Sequence, residues 1–208
     1  MRIEKITATK RGRYALFDED GQFLFSVDGE TLLKNNIAEG TALTAPALCA
    51  LREESDERRA KDKALRLLSL RSHAAGELYE KLCRAFDAPT AAAAVAEMQR
   101  LGLLDDAEYA RRRAQYLAGQ GKSRRQIEAD LAAKGIGRED AAAALDEACA
   151  GGADVCYALV KKLYARKLAE GGREKVLAAL ARRGFSYGEA KSAVERALDE
   201  MRREEDGF

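Results

Sequence analysis

Apolar side chains recur along most of this chain at the three- to four-residue spacing of amphipathic helices. The first 43 residues differ, because apolar and polar positions alternate there over short stretches. Ile3, Ile6 and Ala8 alternate with polar residues, and short apolar runs follow at residues 14–17 and 22–27. This pattern predicts a small β-rich region over residues 1–43, followed by helices.

Turn and cap residues set the expected limits of the N-terminal elements. Asp20-Gly21 predicts a two-residue hairpin of type I′. Asp28 is placed to cap a short helix over residues 30–35, and residues 37–43 are expected to form a last strand. Because so small a sheet is marginal alone, we expect it to pack against the rest of the protein.

A long helix is predicted to follow the β-rich region. Thr44 is a suitable N-cap, and Pro46 falls in the first turn, where no amide donor is needed. The helical pattern then runs through Leu70, and residues 52–63 are almost wholly charged. We therefore expect an exposed connecting helix over residues 44–63.

Three segments repeat at a spacing of 49 residues. Large apolar residues share this spacing in two series, Leu78, Ile127 and Val176, and Leu82, Leu131 and Leu180. Capping-box patterns or a close variant mark helix starts at Asp105, Ser123 and Ser186. The spacing predicts three three-helix repeats, over residues 64–104, 105–152 and 153–208.

The predicted fold is therefore mostly α, a tandem array of three three-helix repeats that forms an elongated, curved molecule behind the β-rich region. Such arrays present long surfaces to large partners and seldom enclose a pocket for a small molecule. Composition agrees, because the chain contains 41 alanines and only 2 prolines among 208 residues. Few prolines and many strong helix formers exclude an all-β sandwich.

The net charge of +1 conceals an uneven distribution. Residues 1–57 carry seven basic against eleven acidic side chains, a net of −4. Residues 111–134 carry seven against two, a net of +5, and residues 161–183 carry eight against two, a net of +6. These basic segments indicate either contact with an anionic partner or, more commonly for charge runs, a solvated helix face.

The first basic segment supplies the candidate contact residues, because arginine forks suit phosphates and carboxylates. Arg113 is expected at the edge of the apolar stripe, near Tyr109, and Glu108 is expected to offset only one of the charges. The candidate residues are Arg111, Arg112, Arg113, Lys122, Arg124, Arg125 and Lys134.

The sequence predicts no catalytic, cofactor-binding or metal-binding residues. Residues 119–123, Gly-Gln-Gly-Lys-Ser, resemble the end of a phosphate-binding loop. Because Tyr116 occupies the position of the first glycine of that motif, a turn between two helices is favoured instead. His73 is expected at the surface, and the four cysteines are expected to be reduced thiols without metal-site spacing. Without a signal peptide or membrane span, a cytoplasmic protein is expected.

Several phrases of the sequence together resemble the bacterial RecX family. They are residues 64–71 (ALRLLSLR), Glu77-Leu78 with Lys81-Leu82, residues 101–106 (LGLLDD) with Tyr109-Ala110, and Arg124 to Ile127 with residues 134–136 (KGI). The similarity extends over about residues 60–200, and residues 1–43 resemble the N-terminal extension of some members. Ala74 is a departure, because members often have a serine helix cap there.

The resemblance implies a regulator, and specifically an inhibitor, of the RecA recombinase. Members bind in the groove of the RecA–DNA filament and limit its ATP hydrolysis, strand exchange and co-protease activity in recombination, repair and the SOS response. The resemblance implies a monomer that needs no cofactor and no membrane. Two alternatives stay open from the residues, a helical-repeat protein that binds nucleic acid directly and a protein scaffold without preference for polyanions.

Overall fold

The structure, a computed structural model, describes residues 1–10, 12–150 and 152–206. Within these residues a three-stranded sheet precedes ten helices, so the predicted mostly helical class with a β-rich N-terminus is confirmed. The elements are β1 (Lys5–Ala8), β2 (Arg13–Phe17), β3 (Phe23–Asp28), α1 (Gly29–Lys34), α2 (Ala45–Leu70), α3 (Ala75–Cys83), α4 (Ala88–Arg100), α5 (Asp106–Gly119), α6 (Arg124–Ala133), α7 (Arg138–Ala148), α8 (Gly152–Ala169), α9 (Arg173–Arg182) and α10 (Tyr187–Asp206).

The chain divides into two compact units. The first contains Met1–Ser72 and Leu78–Leu103, and therefore the sheet, α2 and α4. The second contains His73–Glu77 and the chain from Leu104 onward, and therefore α5 to α10 together with the first residues of α3. The candidate contact residues all belong to the second unit.

The hairpin between β2 and β3 differs from the predicted turn. The Asp18 amide donates to the Gln22 carbonyl and the Gly21 amide donates to the Asp18 carbonyl, which encloses a three-residue loop. Among these described turn residues, only Gly21 has a positive φ, of 72°. A type I′ turn needs positive φ at both central residues, so that prediction is wrong. The Asp18 carboxylate accepts from the amides of Asp20 and Gln22 and thereby stabilises the longer loop.

The predicted last strand over residues 37–43 is also wrong. This segment forms one isolated bridge, between Ala42 and Arg2, and the Ile3 amide donates to the Thr41 carbonyl at 2.9 Å. Gly40 has a φ of 89°, which turns the chain and limits regular pairing. The prediction for Asp28 is confirmed, because its carboxylate accepts from the Thr31 amide at the start of α1.

The N-terminal sheet packs against α2, as its small size requires. A buried cluster joins the sheet and α1 to Leu51 of α2, and it consists of Ile3, Leu16, Val27, Leu32 and Leu51. Ser55 and Ala60 of α2 are also buried, so the expectation of an exposed helix over residues 44–63 is wrong for one of its faces. Thr44 caps α2 as predicted, and the helix continues without a break past residue 64.

The repeated apolar positions form the centres of the helical cores. All six residues of the two series spaced by 49 are fully buried, and they are Leu78, Leu82, Ile127, Leu131, Val176 and Leu180. In the second unit, α5 to α7 surround one buried cluster and α8 to α10 surround another. The predicted caps at Asp105, Ser123 and Ser186 each accept a backbone amide three residues later.

Helix α3 obtains its cap from another helix. Ala74, the residue before α3, is buried and stands 49 residues before the N-cap Ser123. The Asp106 carboxylate, from the first turn of α5, accepts from the Ala75 amide at 2.8 Å. A carboxylate beside a helix start is favourable because it also opposes the helix dipole. Asp106 therefore compensates for the missing serine.

Candidate interaction surface

The seven predicted contact residues lie on neighbouring parts of the second unit. Arg111, Arg112 and Arg113 lie on α5, Lys122 in the turn that follows, and Arg124 and Arg125 at the start of α6. Lys134 is the C-cap of α6. The stripe that turns inward on α5 contains Ala110, Ala114, Leu117 and Ala118, all buried. The guanidinium groups of Arg111 and Arg112 extend from the other side of that helix and are exposed.

Two of these arginines share the carboxylate of Glu108. The Arg112 Nε atom lies 2.6 Å from Glu108 Oε1, and Arg111 pairs with the second oxygen. The Arg111 Nε atom also lies 3.3 Å from Glu147 Oε2 of α7. The two oxygens of Glu108 reach residues three and four positions later, but its single negative charge offsets only one of the two positive charges.

Arg113 forms a two-pronged ion pair that joins α5 to α6. Its Nε and Nη2 atoms each lie 2.8 Å from an oxygen of Asp130, and both side chains are half-buried. The hydrogen bonds with Arg113 lower the pKa of the Asp130 carboxyl below its ordinary value. The same bonds raise the pKa of Arg113. This geometry makes Arg113 a structural link between two helices.

Two further candidates also have carboxylate partners. The Arg124 Nη2 atom lies 2.6 Å from Asp146 Oδ1 of α7. The Lys134 Nζ atom lies 3.5 Å from Glu77 Oε1, and the Glu77 side chain is only 11% exposed. Packing therefore brings these two cations together with carboxylates of other helices that are distant in sequence.

Lys122 and Arg125 differ from the other five. Both are exposed, and within the described part of the chain neither side chain has a hydrogen bond or an ion pair. They flank Ser123, which is buried and donates to the Arg183 carbonyl at 2.8 Å. A Cβ atom on Gly184 would lie 3.4 Å from Arg125 Cβ, so Arg125 adjoins the turn after α9.

A groove between the second and third repeats is the feature that the sequence does not reveal. It measures about 700 Å³ and lies between the α5–α6 turn and α8. We call it the repeat groove and define it by Gly119, Gly121, Leu159, Lys162, Leu163 and Arg183. The net charge of residues 161–183 indicates a basic surface in this part of the chain. The spacing of apolar residues, however, could not predict that Lys162 and Arg183 line the same groove.

The remaining candidates for chemistry occupy structural positions. His73 is 3% exposed, so its expected surface position is wrong, and it lies among the buried residues at the start of α3. The residues of the phosphate-loop resemblance form the predicted turn between α5 and α6. The four cysteines are free thiols, and burial raises the pKa of Cys156 to about 11.

The described residues contain neither a group of metal-ligating side chains nor a helix that could cross a membrane. Across residues 1–10, 12–150 and 152–206, no group of three or more histidine, cysteine, aspartate or glutamate side chains is placed to hold a metal ion. Over the same residues, no helix combines the length and the hydrophobicity that crossing a membrane requires.

Two family models match the chain over most of its first two repeats. Residues 60–98 match the model described as RecX, first three-helix domain. Residues 105–145 match the model described as RecX, second three-helix domain.

Curated relatives carry the name regulatory protein RecX. The protein of Lactobacillus delbrueckii subsp. bulgaricus is 32% identical over 208 residues, which cover 95% of this chain and 75% of the relative. That of Mycobacterium ulcerans is 35% identical over 151 residues, or 68% of this chain and 86% of the relative. The match with Lacticaseibacillus paracasei is 33% identical over 112 residues and spans 53% of this chain and less than half of the relative, 46%.

Two solved structures share the fold. A crystal structure of regulatory protein RecX gives a TM-score of 0.64 at 24% identity, covering 91% of this chain and 97% of the other. RecX from Lactobacillus salivarius gives 0.60 at 22% identity, covering 68% of this chain and 96% of the other.

Proposed function

The chain belongs to the RecX family, and on that premise we propose that it regulates the RecA recombinase by binding in the groove of the RecA–DNA filament. Binding inhibits ATP hydrolysis, strand exchange and co-protease activity. The protein acts as a cytoplasmic monomer and contributes no catalytic group or cofactor. The observation that carries this proposal is the resemblance along the repeats, where three-helix units expose cations to an anionic partner.

The structure suggests how the seven predicted contacts divide their roles. Among the described residues, Lys122 and Arg125 have no carboxylate to release, so binding an anionic partner removes only their hydration. Arg111, Arg112 and Arg124 are exposed but must first exchange an intramolecular partner. Arg113 and Lys134 are half-buried in their ion pairs and contribute least to binding. We therefore propose Lys122 and Arg125 as the main contacts within the predicted set.

Repetition itself supports a filament as the partner. Helical repeats in series can contact neighbouring protomers of a filament at the same time. Simultaneous contacts raise the effective affinity above that of any single contact. A filament that is interrupted by gaps should therefore bind this protein more weakly than a continuous one.

The test uses purified protein with RecA assembled on single-stranded DNA. We expect the protein to be retained on the filament and to lower its ATPase rate in proportion to occupancy. The double variant Lys122→Gln/Arg125→Gln should bind at least about five-fold more weakly, because two unpaired cations are lost. A wild-type protein that neither binds nor inhibits the filament would refute the proposal.

Direct binding to nucleic acid is the second candidate. The observation that favours it is a cluster of cations without ion pairs among the described residues. Arg125, close to Ser123, adjoins the turn that follows Arg183. This function predicts binding to DNA without RecA, with an affinity that falls steeply as salt increases and counterions are released. Binding to DNA that is absent, or insensitive to salt, excludes it.

A further inference from the structure

We propose that the repeat groove binds an acidic segment of the partner protein that carries a large apolar side chain. The apolar side chain occupies the floor of the groove, and carboxylates pair with Lys162 and Arg183 at its rim. This inference rests on the proposed function, because it names the chemistry of the protein surface that the second and third repeats recognise.

The floor of the groove is apolar and open. Leu163 is 50% exposed, although it lies on α8 between buried positions of the third repeat. Leu159 is partly buried beside it, and the α5–α6 turn opposite contains Gly119 and Gly121. A Cβ atom on Gly119 would meet nothing within 4 Å, whereas one on Gly121 would lie 3.4 Å from Leu159 Cδ1. Glycine therefore leaves room over the leucines for an incoming side chain.

The rim of the groove carries uncompensated positive charge. Lys162 and Arg183 are exposed, and among the described residues their side chains have no ion pair or hydrogen bond. Asp154 also lines the groove, but its Oδ1 atom lies 2.6 Å from Arg196 Nη1. Because that carboxylate is neutralised within the protein, the groove attracts anionic groups from a partner.

A protein segment fits the groove better than single-stranded nucleic acid does. Proteins that hold single strands stack bases on aromatic side chains, but the described residues that line the groove are aliphatic or polar. The volume of about 700 Å³ lies within the usual range for bound groups, so it accepts one or two side chains. A carboxylate-bearing segment with a leucine or phenylalanine satisfies both the floor and the rim.

Filling the groove tests this inference without disturbing the fold. In Gly119→Trp, an indole is added at the end of α5 into open space. Gly188→Trp is the matched control, because Gly188 on α10 also has open space and lies outside the groove. Binding of both full-length variants to RecA filaments on single-stranded DNA should be compared with the wild type. We expect at least a ten-fold loss for Gly119→Trp and less than a two-fold change for Gly188→Trp.

Charge reversal provides a second, independent comparison. Lys162→Glu should weaken filament binding at least five-fold, because a carboxylate at the rim repels the acidic segment. Lys175→Glu makes the same change on α9, at an exposed cation outside the groove, and should have less than a two-fold effect. Equal effects of the two reversals would overturn the inference, because long-range charge alone would then explain binding.

Photocrosslinking identifies what occupies the groove. The photoreactive residue p-benzoylphenylalanine replaces Gln120, an exposed residue that lines the groove, and the complex with the filament is irradiated and mapped by mass spectrometry. Crosslinks to a segment of RecA with acidic and apolar side chains are expected. Crosslinks only to DNA, or a filament-bound protein without crosslinks, overturn the inference but leave the proposed function intact. If the wild type does not bind the filament, the proposed function fails and the inference fails with it.

Discussion

The two basic segments of the second unit have similar charge in sequence but differ in structure. Residues 111–134 carry a net of +5 and residues 161–183 a net of +6. In the first segment, five of the seven cations have carboxylate partners, several of them from α6 and α7. Packing thus places carboxylate partners beside most of the positive charge of this segment.

More of the second segment's positive charge is left for a partner. Lys161 pairs with Glu200, Arg166 with Glu170 and Arg173 with Glu195. The cations for which the described residues provide no ion pair are Lys162, Lys167, Lys175, Arg182 and Arg183. Net charge over a segment therefore does not measure the charge available for binding.

The largest expected effect concerns the glycine contact that positions Lys134 beside Glu77. A Cβ atom on Gly76 would lie 2.8 Å from Gly135 Cα and 2.9 Å from the Lys134 carbonyl oxygen. Because both are backbone atoms, Gly76→Ala should lower the free energy of unfolding by about 2 to 3 kcal/mol. Urea denaturation measures this loss. Gly119→Ala is the control and should change stability by less than about 0.5 kcal/mol.

The next effect separates a structural cation from an unpaired one. Arg113→Ala removes both hydrogen bonds to half-buried Asp130, so it should cost about 1.5 to 2 kcal/mol of unfolding free energy. Lys122→Ala should cost less than about 0.5 kcal/mol, because that side chain has no partner to lose among the described residues. Equal losses in thermal denaturation would remove the distinction between the two classes.

The same ion pair predicts a dependence on pH. The pKa of Asp130 is lowered by Arg113, so the pair contributes its full stability above the ordinary carboxyl pKa of 3.8. That contribution is lost as pH falls through the lowered pKa, when Asp130 becomes protonated. The stability gap between the wild type and Asp130→Asn should therefore narrow on acidification. A gap that is constant from pH 7 to the acid transition would contradict the assigned role.

A smaller effect is expected at the start of α3. Asp106→Ala leaves the Ala75 amide without its acceptor and should cost about 1 kcal/mol. Adding Ala74→Ser to that variant should recover part of the loss, because serine can cap another amide of the same turn. Failure of the serine to recover any stability would show that Asp106 does not act as a cap.

The smallest effect is expected for the exposed pairs on α5. Arg111→Ala or Arg112→Ala should each cost less than about 0.5 kcal/mol, and added salt should reduce even that difference. Chemical denaturation at two salt concentrations provides the measurement. A loss comparable to that of Arg113→Ala would mean that exposed pairs also hold this unit together.

Much of the fold could be predicted from the sequence because its signals are local or periodic. Apolar spacing identified buried residues such as Leu131, and capping patterns identified helix starts such as Ser123. The partners of the cations could not be predicted, because Asp146 and Glu147 reach Arg124 and Arg111 only after α7 packs against the other helices. Burial of His73 likewise depends on contacts distant in sequence, and so does the repeat groove.

The central claim is that the unpaired cations at the rim of the repeat groove and around Ser123, rather than total basic charge, bind the filament. The most direct test measures the affinity of RecA–single-stranded DNA filaments for two double variants that each lose two positive charges. We predict at least a ten-fold loss for Lys162→Gln/Arg183→Gln and less than a three-fold loss for Arg111→Gln/Arg112→Gln. Equal losses, or a larger loss for the second variant, would contradict the account.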